Sequence, residues 1–243
     1  MPGHYQPASR RLEEIESIAC AHGVGHLVLV QPSVYGTDNQ LLLQALRSRP
    51  GRHRGVVVVE PGVGIEALRR KHADGVRGVR FNLVSPVGER SWPSTQLAPL
   101  LRQLGWFAQW YARPSDLGAI ARWHADAEVA CVLDHLAGMH ATVPPDDAAW
   151  SALAQLAAAG AWVKLSGWYR LQSAPPYAEL QPHIARVASL FGQRMVWGSD
   201  WPHTGLAAEA LPVYGELWQP VPAALGPSTA QALRCQSPLL LYR

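Results

Sequence analysis

The stretch from residue 131 to residue 200 decides the fold: Cys131-Val-Leu-Asp-His-Leu136, Ala161-Trp-Val-Lys-Leu-Ser166 and Met195-Val-Trp-Gly-Ser-Asp200. Each is a short, mostly apolar run that ends in polar residues or glycine. Continuous runs of this kind are the pattern of strands covered on both faces. The intervening segments Ala148–Ala159 and Pro182–Phe191 read as helices. Strand alternating with helix predicts a parallel α/β sheet.

Toward the amino end the same unit repeats. His26–Gln31, Gly55–Glu60, Gly75–Leu83 and Phe107–Ala112 read as strands. Ser9–His22 carries Leu12, Ile15, Ile18 and Ala19 on one helical face, and Asp38–Arg49 carries Leu41, Leu42, Ala45 and Leu46. Strand starts fall at 26, 55, 75, 107, 131, 161 and 195, one βα unit apart and with no shift in composition. The expectation is one domain over residues 1–243, a (β/α)8 TIM barrel. A doubly wound sheet shares this periodicity. Seven strands are counted where a barrel has eight, and no strand precedes Ser9–His22. The barrel therefore reads as lacking its first strand, an N-terminally incomplete domain.

The 243 residues are 48% hydrophobic and 16% charged, which is the balance of a globular chain. A formal charge of +3 gives no reason to expect nucleic acid. Cys20, Cys131 and Cys235 are far apart and odd in number, which argues against a disulfide framework or a structural zinc site. No apolar run is long enough to span a membrane, and the first residues have no signal-peptide character, so a cytoplasmic protein is expected.

In parallel α/β folds ligands meet the carboxyl ends of the strands. Ser33, Glu60, Arg80, Tyr111, His135, Ser166 and Asp200 stand there, with Arg170 shortly beyond the sixth run. Together they suit an anionic substrate and a hydrolytic water. Asp200 is a candidate base or metal ligand, against the plainer reading of a helix cap or an arginine partner. Alternation places Cys131, Leu133 and His135 on one face and Asp134 on the other. His135 is a candidate donor to a carbonyl oxygen or metal ligand. The other histidines, His53, His72 and His124 among them, are expected to be solvated. Arg80 is the better carboxylate binder, and Arg77 the better packing residue. Gly62-Val-Gly64 follows a strand and opens a helix, as a dinucleotide fingerprint would, but the stretch about 20 residues on is Arg80-Phe-Asn-Leu, without an acid for the ribose. Trp106 and Trp110 are expected in the core.

Five blocks carry a resemblance: Gln31-Pro-Ser with Tyr35-Gly-Thr-Asp-Asn39, Gly75-Val-Arg-Gly-Val-Arg-Phe-Asn82, Leu133-Asp-His-Leu-Ala-Gly138, Val163-Lys-Leu-Ser-Gly167 and Trp197-Gly-Ser-Asp-Trp-Pro-His203. In this order they resemble the amidohydrolase-related (amidohydrolase 2) family, nearest its 2-pyrone-4,6-dicarboxylate lactonase-like hydrolases. The resemblance implies a barrel that opens a carboxylated lactone, a chemistry of aromatic breakdown. Carried over motif by motif, it implies that Asp200 activates water and His135 polarises the carbonyl. Arg80 and Arg170 would hold substrate carboxylates, and Tyr111 and Ser33 would add hydrogen bonds. The partner expected is a small carboxylated lactone, with no nucleic acid and no membrane, and a homo-oligomer left open.

The sequence departs from that family at one point. Members carry His-x-His on the first strand, and this chain has none; His4 stands alone. The favoured expectation is a chain begun after its first strand. The alternatives are a variant completed by a partner subunit or its own amino terminus, and a relative that binds small anions without turnover. A metal-dependent amidohydrolase or decarboxylase of the same superfamily, and a nucleotide-dependent enzyme using Gly62 and Gly64, are further readings. No metal is expected, zinc entering only if a longer form supplies the paired histidines.

Overall fold

In the computed structural model, residues 9–84 and 92–243 are described. His4 lies outside them. Seven strands form one all-parallel sheet in sequence order: β1 (Val28–Val30), β2 (Arg54–Val57), β3 (Val76–Asn82), β4 (Phe107–Tyr111), β5 (Ala130–Leu133), β6 (Trp162–Leu165) and β7 (Met195–Trp197). Helix α1 (Leu12–Ala21) precedes β1, and α2 (Gln40–Ser48), α3 (Ile65–Ala73), α4 (Leu97–Leu104), α5 (Leu117–Ala127), α6 (Ala148–Ala158) and α7 (Gln181–Phe191) fill the crossovers. Three short helices, α8 (Pro220–Leu225), α9 (Pro227–Cys235) and α10 (Ser237–Leu241), end the chain. All seven expected strands are present. The sequential order is that of a curled TIM-type barrel, open between β7 and β1 among the described residues, and not of a doubly wound sheet.

The two faces of the sheet separate by residue type. Val57, Val79, Ala108, Trp110, Cys131, Leu133, Val163 and Leu165 face the helices in the main core. Val28, Val30, Val56, Phe107, Val132, Trp162 and Val196 pack together on the other face, and strands as distant as β2 and β7 meet there only because the sheet curls. At Gly78 a Cβ would overlap the Phe107 ring, so glycine is what lets that ring fill the barrel. Tyr242 packs into the same layer, edge-on to Phe107 at 5.7 Å. Arg54 donates to its carbonyl at 3.1 Å. Arg77 donates to the carbonyl of Arg243, and so packs structurally as expected.

Helical phase decides the outer layer. Leu117, Ile120, His124 and Ala127 are the buried residues of α5. Ile184, Val187 and Phe191 are those of α7. Burying one such apolar side chain contributes roughly 1.5–3 kcal/mol. Ile15 and Ala19 of α1 pack with Leu27 beside β1 and with Trp197, Trp201 and Tyr214 beside β7. Helix α1 thus bridges the open side from outside. Trp106 and Trp110 are 1% and 0% exposed, core residues as read.

The expectation of solvated histidines is corrected at His53, His124 and His203, all buried. His124 lies in phase with Leu117 and Ile120, so its helix carries it inward. The Trp110 indole N–H donates to Nε2 at 2.7 Å, and Nδ1 meets the Val129 carbonyl at 2.8 Å. Indole only donates and carbonyl only accepts, which fixes a neutral ring with its proton on Nδ1. Burial accordingly lowers its pKa to about 4. His53 accepts the Leu27 N–H on Nδ1 and reaches Glu16 through Nε2 at 3.0 Å. All three cysteines are free. No helix among the described residues is long and apolar enough to cross a membrane.

Candidate active site

Two residues beyond the apolar layer, the same inward face turns polar. Arg80, Gln109, Asp134 and Lys164 follow Gly78, Phe107, Val132 and Trp162 by the two-residue period of a strand. Lys164 Nζ lies 2.6 Å from Asp134 Oδ1. Gln109 Nε2 donates to Oδ2 at 2.9 Å, and Arg80 Nε stands 3.7 Å from the same oxygen. Burial pushes the Asp134 carboxyl up, but Lys164, His135 and Arg80 together hold it below its ordinary value.

Above this layer the strand ends form the mouth, and there backbone conformation takes over from alternation. His135 has φ 49°, followed by Leu136 at 52° and Ala137 at 57°. A run in the left-handed region is unfavourable for such residues and persists only where surrounding packing imposes it. Here it detaches His135 from the face of Cys131 and Leu133. Those two face the helices, while the His135 ring swings over the barrel. Its Nδ1 meets the Ser166 hydroxyl at 3.0 Å, and Tyr111 stands edge-on at 4.8 Å. A Cβ at Gly167 (φ 61°) would overlap the imidazole, so glycine there leaves the ring its space. Burial lowers the His135 pKa, which keeps the ring neutral near pH 7.

Asp200 has φ 57° and presents its carboxylate to the same space. Its Oδ1 lies 3.9 Å from His135 Nε2. Its Oδ2 accepts two short hydrogen bonds, from the Tyr169 hydroxyl and from Arg170 Nε, both at 2.6 Å. Burial alone would raise its pKa, but His135, Arg170 and Tyr169 outweigh it and hold the group well below the usual carboxylate range. Arg170 also donates from Nη2 to the Thr204 carbonyl at 3.1 Å.

On the opposite side, Arg80 Nη1 donates to Ser33 Oγ at 3.0 Å, and Asn82 Nδ2 donates to the same oxygen at 2.5 Å. The Arg80 guanidinium lies 5.8 Å from the Tyr111 ring centre. Its Nε is buried and has no hydrogen-bond partner among the described residues. Burial keeps the Tyr111 hydroxyl protonated, a donor.

All six residues chosen from the sequence thus meet in one chain of contacts, running Ser33, Arg80, Tyr111, His135, Asp200, Arg170. Sequence reasoning passed over Asp134, Gln109, Lys164, Asn82 and Tyr169. Lys164 carried a signal, a lone cation inside the apolar run Ala161–Ser166, with Asp134 as its counterpart on the neighbouring strand. Tyr169 offered none beyond standing beside Arg170.

A metal ion does not fit the residues described. Among them no three His, Cys, Asp or Glu side chains gather as a site. The pair nearest to one, His135 and Asp200, has a guanidinium on its carboxylate, and that cation opposes a second.

The parallel barrel gathers His135, Asp200, Arg80 and Arg170 at its carboxyl mouth. The amidohydrolase family profile matches residues 1–243, and the chain belongs to that family, a hydrolase. A 2-pyrone-4,6-dicarboxylate hydrolase of Comamonas testosteroni is 27% identical over 253 residues, covering 98% of this chain and 82% of its own length. A 4-sulfomuconolactone hydrolase of Hydrogenophaga intermedia is 26% identical over 206 residues, 83% of this chain and 68% of its own. A solved structure from Pseudomonas putida, described as a 2-pyrone-4,6-dicarboxylic acid hydrolase, superposes with a TM-score of 0.88 at 32% identity, covering 99% of this chain and 90% of that one.

Proposed function

We propose that this chain opens the ring ester of a small carboxylated lactone by attack of water. The observation that carries the reading is the meeting of a neutral, buried His135 with an ionised Asp200 whose Oδ1 is 3.9 Å away, at the mouth of a barrel that also holds Arg80. Asp200 takes the proton of the attacking water through Oδ1 and returns it to the ring oxygen as the ester C–O bond breaks. With the Ser166 hydroxyl donating to Nδ1, His135 donates from Nε2 to the carbonyl oxygen as it becomes an oxyanion. Arg80, whose guanidinium lies between Asp134 and the Ser33 hydroxyl, seats a substrate carboxylate, with Ser33 and Tyr111 as neighbouring hydrogen-bonding groups. Arg170 reaches a second carboxylate only by sharing itself with Asp200. A ligand that draws on Arg170 weakens its hold and restores basicity to Asp200. The relatives that act on 2-pyrone-4,6-dicarboxylate and 4-sulfomuconolactone, both cyclic esters bearing acid groups, support this substrate class.

The test is turnover of these two lactones by the wild type and by Asp200→Asn, followed by loss of ring absorbance. Turnover that survives in Asp200→Asn rejects the proposal. A second reading, a barrel that binds small anions without turnover, is favoured by one observation: both lone pairs of Asp200 Oδ2 are already occupied by donors. Calorimetric binding of the lactone that is lost in Arg80→Ala, with no turnover in the wild type, would establish it.

A further inference from the structure

Asp200 is useful as a base only if one oxygen is free and aimed. A carboxylate on a short side chain turns readily about its last bond, and a misplacement of about 1 Å can cost on the order of a hundredfold in rate. Two donors meet on Oδ2, the Tyr169 hydroxyl and Arg170 Nε, each at 2.6 Å. One donor would fix a point, whereas two from different directions also fix the plane of the group. Oδ1 is then left toward His135 Nε2 at 3.9 Å.

Tyr169 is itself held. It sits in the 3-10 turn Trp168–Arg170. The Arg170 guanidinium lies 5.0 Å from its ring centre, and the His203 ring stands edge-on at 5.7 Å. Its hydroxyl has a second neighbour, His203 Nδ1 at 3.5 Å, too long to compete with the bond to Asp200. Burial and the adjacent carboxylate push its pKa up, so the oxygen keeps its proton and remains a donor.

We propose that Tyr169 is the positioning residue of Asp200, turning Oδ1 toward His135 by sharing Oδ2 with Arg170. It makes no bond to substrate. The proposal rests on the reading of Asp200 as the base.

The experiment uses the full chain as wild type, Tyr169→Phe and Asp200→Asn. In proton spectra of the 15N-labelled protein, a charge-assisted O–H···O bond this short is expected to give a resonance downfield of the amides, without nitrogen coupling. It should vanish in Tyr169→Phe and vanish or move upfield in Asp200→Asn. With 2-pyrone-4,6-dicarboxylate as probe, Tyr169→Phe should lower kcat by about tenfold to a hundredfold, with KM changed less than about threefold. A purely structural tyrosine would leave that split unseen. The proposal is overturned if the wild type lacks the resonance, if it stays in place in Asp200→Asn, or if Tyr169→Phe keeps its kcat. Should Asp200→Asn turn over like the wild type, or the wild type not at all, the reading of the base fails. The resonance then decides separately whether Tyr169 holds the carboxylate, as it also does if Tyr169→Phe does not fold.

Discussion

Asp134 and Asp200 each hold a cation at 2.6 Å, one Lys164 and the other Arg170. Both carboxyls are kept ionised against burial by the positive groups around them. They differ in how their oxygens are used. Asp134 is occupied on both, by Lys164 on Oδ1 and by Gln109 and Arg80 on Oδ2, with a side chain only 3% exposed. Among the described residues Asp200 accepts hydrogen bonds on Oδ2 alone, and its side chain is 22% exposed at the mouth. A buried carboxylate with a donor on each oxygen is placed to hold structure. One with a free oxygen beside a neutral imidazole can take a proton. Charge does not separate these two aspartates; the oxygen left without a donor at the mouth does.

That contrast can be broken most directly at Asp200. Asp200→Asn is expected to lower kcat on a carboxylated lactone by about a thousandfold, about 4 kcal/mol of transition-state stabilisation. Its urea midpoint should move less than that of Asp134→Ala. For Asp134→Ala the order reverses: leaving Lys164 buried without its partner is expected to cost about 3–5 kcal/mol of stability, read by urea unfolding. Adding Lys164→Met should recover much of it, and a double variant no more stable than the single would deny the pairing.

A third measurement tests whether a buried titratable group away from the mouth governs acid stability. His124 is neutral in the fold with its pKa lowered to about 4 from 6.5. The unfolded chain therefore binds the extra proton, and this contribution is complete above pH 6.5 and is lost as pH falls toward 4. Relative to His124→Gln, the wild type should lose about 3 kcal/mol across that window. The smallest effect sharpens the mouth itself. Gly167→Ala puts a methyl group into the His135 ring at a position with φ 61° and should reduce kcat by about tenfold while costing about 1–3 kcal/mol of stability, read by urea unfolding.

Much of this was legible beforehand. Seven strands could be placed because each is a continuous apolar run, and strand-end position offered Ser33, Arg80, Tyr111, His135, Ser166 and Asp200 together with Glu60, which pairs with Thr37 instead. The layer beneath was missed, although Lys164 in Ala161–Ser166 was a charge that an apolar strand tolerates only with a partner. His135 was assigned to the face of Cys131 because alternation assumes extended backbone, and the left-handed run from His135 to Ala137 does not alternate. The burial of His124 is not legible in the sequence, because it depends on what its helix faces, here the Trp110 indole.

The sequence by itself determined the parallel barrel, its carboxyl-end mouth and the residue types gathered there, since hydrophobic periodicity and strand ends are local properties of the chain. Only the tertiary structure decided which oxygen of Asp200 is free, which residue holds the other, and that Asp134 is bound below while His135 is swung above. Those outcomes depend on hydrogen bonds between residues about 30 positions apart, on backbone angles that spacing does not encode, and on the curl that brings the strands' inward faces together.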